Sequence, residues 1–222
     1  MNATVKALLA WGLSAFAPAV FAQTYNMELT GVGNGTVADG VYVSPYQGTI
    51  SGPGVSYTGY VICDDFNTES YLNQPWVATM TNAGALNGSE KFSLNGAPYT
   101  TAEAYNAAAW LANGLLANLN NQAAQVNYSF AIWDIFDGQK TDPDGGAATL
   151  EAAAFSAALG GYVGSNVSVF TADPINKSQE FLVVNAAPEI DPTSAASGLT
   201  LLLGGLMVLR GRRSAKPVSA AP

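Results

Sequence analysis

Residues 100–119 read TTAEAYNAAAWLANGLLANL. Thr100 followed three positions later by Glu103 has the form of a capping box, the pair that opens a helix by satisfying its first free backbone amides. Tyr105, Ala108, Ala109, Ala112, Leu115, Leu116 and Leu119 then recur at the spacing of one helix face. Asn120-Asn121 ends the run. This stretch decides the fold class, because the chain before it reads differently. Residues 25–100 are punctuated roughly every 8–12 positions by turn formers: Gly31, Asn34-Gly35, Asp39-Gly40, Gly48, Gly52-Pro53-Gly54, Asn87-Gly88 and Asn95-Gly96. Between them lie short β-prone runs at Tyr25–Gly31, Gly40–Val43, Val55–Cys63 and Pro75–Met80.

After Asn121 the helical pattern continues. Ala123–Phe136 is expected to be a second helix, stopped by Asp137-Gly138, although Val126, Tyr128, Phe130 and Ile132 also alternate as a strand would. Ala147–Leu159 is expected to be a third, ended by Gly160-Gly161. Strand character returns at Tyr162–Phe170 and Glu180–Val184. The expected fold is α+β: an antiparallel β sandwich or barrel-like part with a segregated middle segment of three helices.

Composition narrows the function. The chain has 222 residues, one cysteine and no histidine. Cys63 therefore has no intrachain disulfide partner, and catalysis by Ser-His-Asp or Cys-His and most zinc sites are excluded. Residues 23–187 carry three lysines (Lys91, Lys140, Lys177) against 14 acids, a net charge of −11. A surface that acidic cannot neutralise phosphates, so nucleic acid is not an expected partner.

Both ends read as export signals. Lys6, the apolar run Ala7–Val20 and the small residues of Val20-Phe21-Ala22 have the form of a secretory signal peptide over residues 1–22, with a signal peptidase cutting between Ala22 and Gln23. A first transmembrane helix is the competing reading, but the apolar run is short for a span. At the other end, Pro188-Glu189-Ile190-Asp191-Pro192 precedes the uncharged stretch Thr193–Leu209, expected to be a transmembrane helix. Arg210, Arg212 and Arg213 follow at once, the basic stop of a membrane segment. Those 17 residues, at about 1.5 Å each, only just cross a core of ~30 Å. Residues 214–222 are expected to be a disordered tail. A single α+β domain over residues 23–187 lies between the ends.

This tail, with its order of box, span and arginines over residues 188–213, resembles the PEP-CTERM sorting signal, here in a Pro-Glu-Ile-Asp form. The resemblance implies processing by an exosortase near Pro188–Glu189, a transient stay in the inner membrane, and a final address at the cell surface or outside the cell, in bacteria associated with biofilm and exopolysaccharide. Within the body, Tyr60-Val61-Ile62-Cys63-Asp64-Asp65-Phe66 and Tyr128-Ser129-Phe130-Ala131-Ile132-Trp133 together resemble the two halves of a bacterial surface thioester domain. That family joins a cysteine, here Cys63, to a glutamine four residues before a tryptophan, here Trp133. Ser129 stands at the glutamine position and cannot form the bond, while Gln125 lies one helical turn earlier. The resemblance implies a thioester-like fold without the bond, and a Cys63 open to alkylating reagents.

Two further constellations compete with bland readings. Asp137, Asp142 and Asp144 sit in a Gly-rich loop whose oxygens suit Ca²⁺ in an extracellular module, but the spacing lacks a distal bidentate Glu and equally describes a solvated turn. Trp76, Trp110 and Trp133 are either core residues or sugar-stacking platforms. Asp64 and Asp65 are adjacent, which on a strand sends them to opposite faces and makes them a poor catalytic dyad. The expectation is an exported structural or adhesive protein with no catalysis and no cofactor. Exopolysaccharide or a surface ligand is the expected partner, and the alternatives are a secreted carbohydrate-active enzyme or lectin and a self-linking thioester adhesin.

Overall fold

The computed structural model describes residues 23–94, 98–138 and 145–185. Along the chain run β1 (Thr24–Gly31), β2 (Val37–Ala38), β3 (Val41–Tyr42), β4 (Tyr46–Gly52), β5 (Val55–Cys63) and β6 (Trp76–Asn82). Then come α1 (Thr101–Leu116), α2 (Gln122–Asp137), α3 (Ala147–Leu159), β7 (Val167–Ala172) and β8 (Phe181–Val184). The description is α+β as expected, and the sheet is a closed barrel in the order β1-β4-β5-β8-β7-β6. Every pairing in it is antiparallel, including the β1–β6 ladder that closes the ring through Tyr25↔Ala78 and Met27↔Trp76. Closure gives each of the six barrel strands a neighbour on both sides. β2 and β3 form a separate small ribbon.

The local causes are legible. Tyr25, Met27 and Leu29 alternate into the barrel interior from β1. β4 and β5 are joined through Pro53-Gly54, with Gly52 opposite Val55. Gly54 has φ 70°, a conformation that side-chain-bearing residues avoid. Helix α1 starts where its capping box predicts: the Glu103 amide donates to Thr100 Oγ1 at 3.2 Å, and Glu103 Oε2 accepts from the Thr100 amide at 2.7 Å. The alternating pattern at Val126–Ile132 resolves as helix, opened by Asn121, whose side chain accepts from the Ala124 amide.

Four boundaries depart from expectation. Helix α1 ends at Leu116 rather than Leu119, because its C-cap at Ala117 passes into a turn. β7 starts at Val167, not Tyr162, since Tyr162–Asn166 carries the chain from α3 back to the barrel. The Gly40–Val43 run is half of the β2–β3 ribbon rather than a barrel strand. β4 is an additional strand that no β-prone run announces.

The helices pack on one another, with α1 against β8 and α2 against β5. The burial pattern of β5 records that layer. Val55–Tyr60 alternates between half-buried and exposed, whereas Val61, Ile62 and Cys63 are all buried. The last turn of the strand is thus covered on both faces, by barrel and by helix. The core is continuous from Met27, Ile50 and Phe181 in the barrel to Tyr105, Leu111 and Trp133 in the helices. Among the described residues, no helix is long and apolar enough to cross a membrane. The expected signal helix and C-terminal membrane helix lie outside the described residues.

Candidate functional site

The richest polar chemistry lies where β5 ends, β8 begins and the helices cover both. Cys63 is fully buried. Its amide donates to Ser44 Oγ at 3.0 Å, and the Ser44 amide donates to Ser129 Oγ at 3.1 Å. Trp133 Nε1 donates to the Cys63 carbonyl at 3.1 Å. The three residues singled out by the thioester resemblance, Cys63, Ser129 and Trp133, are therefore brought together from β5 and α2, with Ser44 as the bridge. Gln125 is directed elsewhere. Its Oε1 accepts from Asn34 Nδ2 at 2.7 Å, and its Nε2 donates to the Leu119 carbonyl at 2.6 Å, so its amide ties the loop after β1 to α2.

Burial, then the nearby Asp64 carboxyl, pushes the Cys63 thiol well above its ordinary range. The thiol donates to the Asp65 carbonyl at 3.2 Å. The expectation that Cys63 is open to alkylation is thereby corrected, because a sealed, protonated thiol is a poor nucleophile. The native protein is expected to take up no iodoacetamide near neutral pH and one equivalent after denaturation, read by intact mass. Native-state labelling at the denatured rate would contradict the covered strand end.

Next along the chain, Asp64 and Asp65 are both at 0 % exposure. The Asp64 amide continues the β5–β8 ladder by donating to the Glu180 carbonyl at 3.3 Å. Its carboxyl receives no N–H and faces the carboxyl of Glu180, also at 0 % exposure. Burial first, then the nearby Glu180 and Asp65, push the Asp64 pKa well above the usual carboxylate value. Burial also raises Glu180, against the donors it collects. These are Thr171 Oγ1, Tyr105 OH at 2.5 Å and the Lys91 amide at 2.7 Å. Burial and the two acids hold the Tyr105 hydroxyl protonated.

Asp65 is the member that meets a lysine. Its Oδ2 meets Lys91 Nζ at 2.5 Å, its Oδ1 accepts from the Thr68 amide at 3.2 Å, and its carbonyl accepts from Gln179 Nε2 at 2.8 Å. Residues 65, 91 and 180, far apart in sequence, so form one sealed cluster. Neither Lys91 nor Glu180 is prominent in the sequence. The available signals were that body lysines are scarce and that Glu180 stands immediately before the apolar run Phe181–Val184.

The raised Asp64 pKa has a testable sign. Asp64 holds its proton more tightly folded than unfolded. Its contribution to stability is full below the ordinary carboxylate value of 3.8 and is lost as pH rises through the raised folded value. Asp64→Asn keeps the shape of the side chain and removes the titration. Urea midpoints should rise for the natural protein between about pH 8 and about pH 5, and vary less for the variant. Equal slopes for both would place the proton elsewhere.

The remaining expected positions divide. Asp137, in the last turn of α2, accepts from the Phe66 amide at 2.6 Å and from Asn67 Nδ2 at 2.7 Å, holding the loop that follows the cluster. Asp142 and Asp144 lie outside the described residues, as do Ala22, Pro188, Glu189, Ile190, Asp191, Pro192, Arg210, Arg212 and Arg213. Gln23, the first described residue, accepts from Tyr25 OH at 3.1 Å. Among the described residues no group of three acids and thiols is arranged to hold a metal ion. Trp76 and Trp133 are core. Trp110 instead lines a surface cleft of about 510 Å³ with Asn113, Gly114, Tyr128, Tyr162 and Asn166. Compared with family models, curated proteins and solved structures, the chain shows no match.

Proposed function

We propose that this chain is an exported cell-surface or extracellular matrix-type protein, delivered by its signal peptide and a C-terminal exosortase signal, with a structural or adhesive and non-catalytic role. Its body would be a thioester-domain-like module that lacks the bond. One observation carries the non-catalytic part: Cys63, Asp64, Asp65 and Glu180, the groups richest in chemistry, are all at 0 % exposure. Side chains shut away from any substrate act on the fold instead. The strongly acidic body suits solubility outside the cell. Signal peptidase, exosortase and, transiently, the inner membrane are the partners of this route.

The test is C-terminal sequencing of the mature protein, together with Glu189→Ala. Cleavage near Pro188–Glu189 in the natural chain, lost in the variant, supports the sorting step. An intact tail in both would leave a plain membrane anchor. The lectin reading is favoured by one observation, the uncharged cleft at Trp110, where aromatic faces and the Asn113 and Asn166 amides lie together. Trp110→Ala should abolish retention on a neutral polysaccharide column if that cleft binds sugar, and unchanged retention would remove this reading.

A further inference from the structure

We propose that Lys91 and Asp65 condense to an intramolecular amide, an isopeptide cross-link between Lys91 Nζ and Asp65 Cγ that pins the end of β5 to the segment entering α1. Four observations place the two groups for bond formation. Lys91 Nζ is 2.5 Å from Asp65 Oδ2, shorter than the about 2.7–2.9 Å usual for an ammonium–carboxylate contact. The side chains are 13 % and 0 % exposed, so little water competes at the carboxyl carbon. The lysine backbone is clamped on both sides: its amide donates to Glu180 Oε2, and the next amide, of Phe92, donates to Tyr105 OH at 3.2 Å. Phe92 also stacks on Phe136 of α2 at 4.7 Å. Finally, the Glu180 amide points at Asp65 Oδ2 at 3.4 Å, an N–H aimed at the oxygen that must leave or carry charge. Held proximity of this kind turns an intermolecular condensation into an intramolecular one.

The chemistry balances without a co-reactant. One proton passes from the ammonium to the carboxylate along their contact, giving an amine and a carboxylic acid. The amine lone pair attacks Cγ, the new N–C bond forms, the C–Oδ2 bond breaks, and that oxygen leaves as water with a second proton from the nitrogen. Ammonium plus carboxylate becomes amide plus one water, with no change of oxidation state. The cross-link closes a ring across a sequence separation of 26 and joins the barrel to the start of the helical layer. Outside the cell, a bond of this kind resists pulling and proteolysis without a disulfide, which a single cysteine cannot supply.

The experiment is peptide mapping of the mature protein from cells expressing the full chain, digested after denaturation. Trypsin is expected to leave the bond after Lys91 uncut, and the peptide spanning it should be lighter by one water, about 18 Da. Cleavage at Glu69 and Glu90, which both lie between the two residues, should leave the Asp65 and Lys91 peptides joined as one branched species. Lys91→Arg, which retains the charge, should restore the full mass. Separate Asp65 and Lys91 peptides at their sequence masses overturn the proposal. A loss of water confined to the Asp65 peptide, or one persisting in Lys91→Arg, also overturns it. The map of the natural protein decides the matter even if the variant does not fold.

Discussion

Replacing Trp133 by alanine should lower the free energy of unfolding by about 3–5 kcal/mol. Trp133 is 2 % exposed and sits edge-on to Phe66 and Phe130, with ring centroids 5.1 Å away in each case. Truncation removes an indole that packs the end of β5 against α2, and neither neighbour is free to fill the space. Phe66 belongs to the loop held by Asp137, and Phe130 is itself 1 % exposed. The Cys63 carbonyl also loses its indole N–H, which adds the cost of an unsatisfied buried acceptor. Urea titration followed by circular dichroism measures the loss. Trp110→Ala, at the half-buried cleft, is the internal control and should cost clearly less. Equal losses would mean that the interface between β5 and α2 is no tighter than the surface.

Glu180→Ala should cost about 3 kcal/mol or more. The carboxyl accepts from Thr171 Oγ1, Tyr105 OH and the Lys91 amide. Deleting it leaves these donors in a space that water does not reach. The loss should be larger near pH 5 than near pH 8. Glu180 has a raised folded pKa, so its contribution is full at low pH and diminishes as pH rises through that value. Glu180→Gln, which keeps one acceptor, should fall between the natural protein and the alanine variant. Denaturation at the two pH values reads both effects, and a loss below about 1 kcal/mol would show that the cluster is wetter than its burial implies.

The helical middle was legible because its signals are local. A capping box, an apolar face at helical spacing and a glycine pair at Gly160-Gly161 each act within a few residues. Strand β5 was legible to the residue for a similar reason, with a turn before it and acids after it. β4 was not. Its sequence, Tyr46–Gly52, contains Gly48 and Gly52, which weaken intrinsic strand preference. It is nevertheless a strand because β1 and β5 flank it and satisfy its backbone on both sides. Gly48 takes an interior position where the alternation of Tyr46 and Ile50 calls for a larger residue, so the period was present with a silent member.

The site was legible in part. The sequence singled out Cys63, Ser129 and Trp133, and they do meet, because the end of one strand and one face of a helix present residues in a predictable order. It did not reveal that Ser44 joins two of them, or that Lys91 and Glu180 complete the acids after Cys63. Those contacts span separations of 19 to 115 residues and exist only once the barrel closes. By itself, then, the sequence determined the element types, the acidity, the lone cysteine and the segregation of helices from strands, since each depends on neighbours along the chain. The tertiary structure alone decided that β1 closes on β6, and that an amine and three carboxyls converge in a dry space. The physical reason is that burial and the pKa shifts it causes are properties of packed surroundings, which no local pattern encodes.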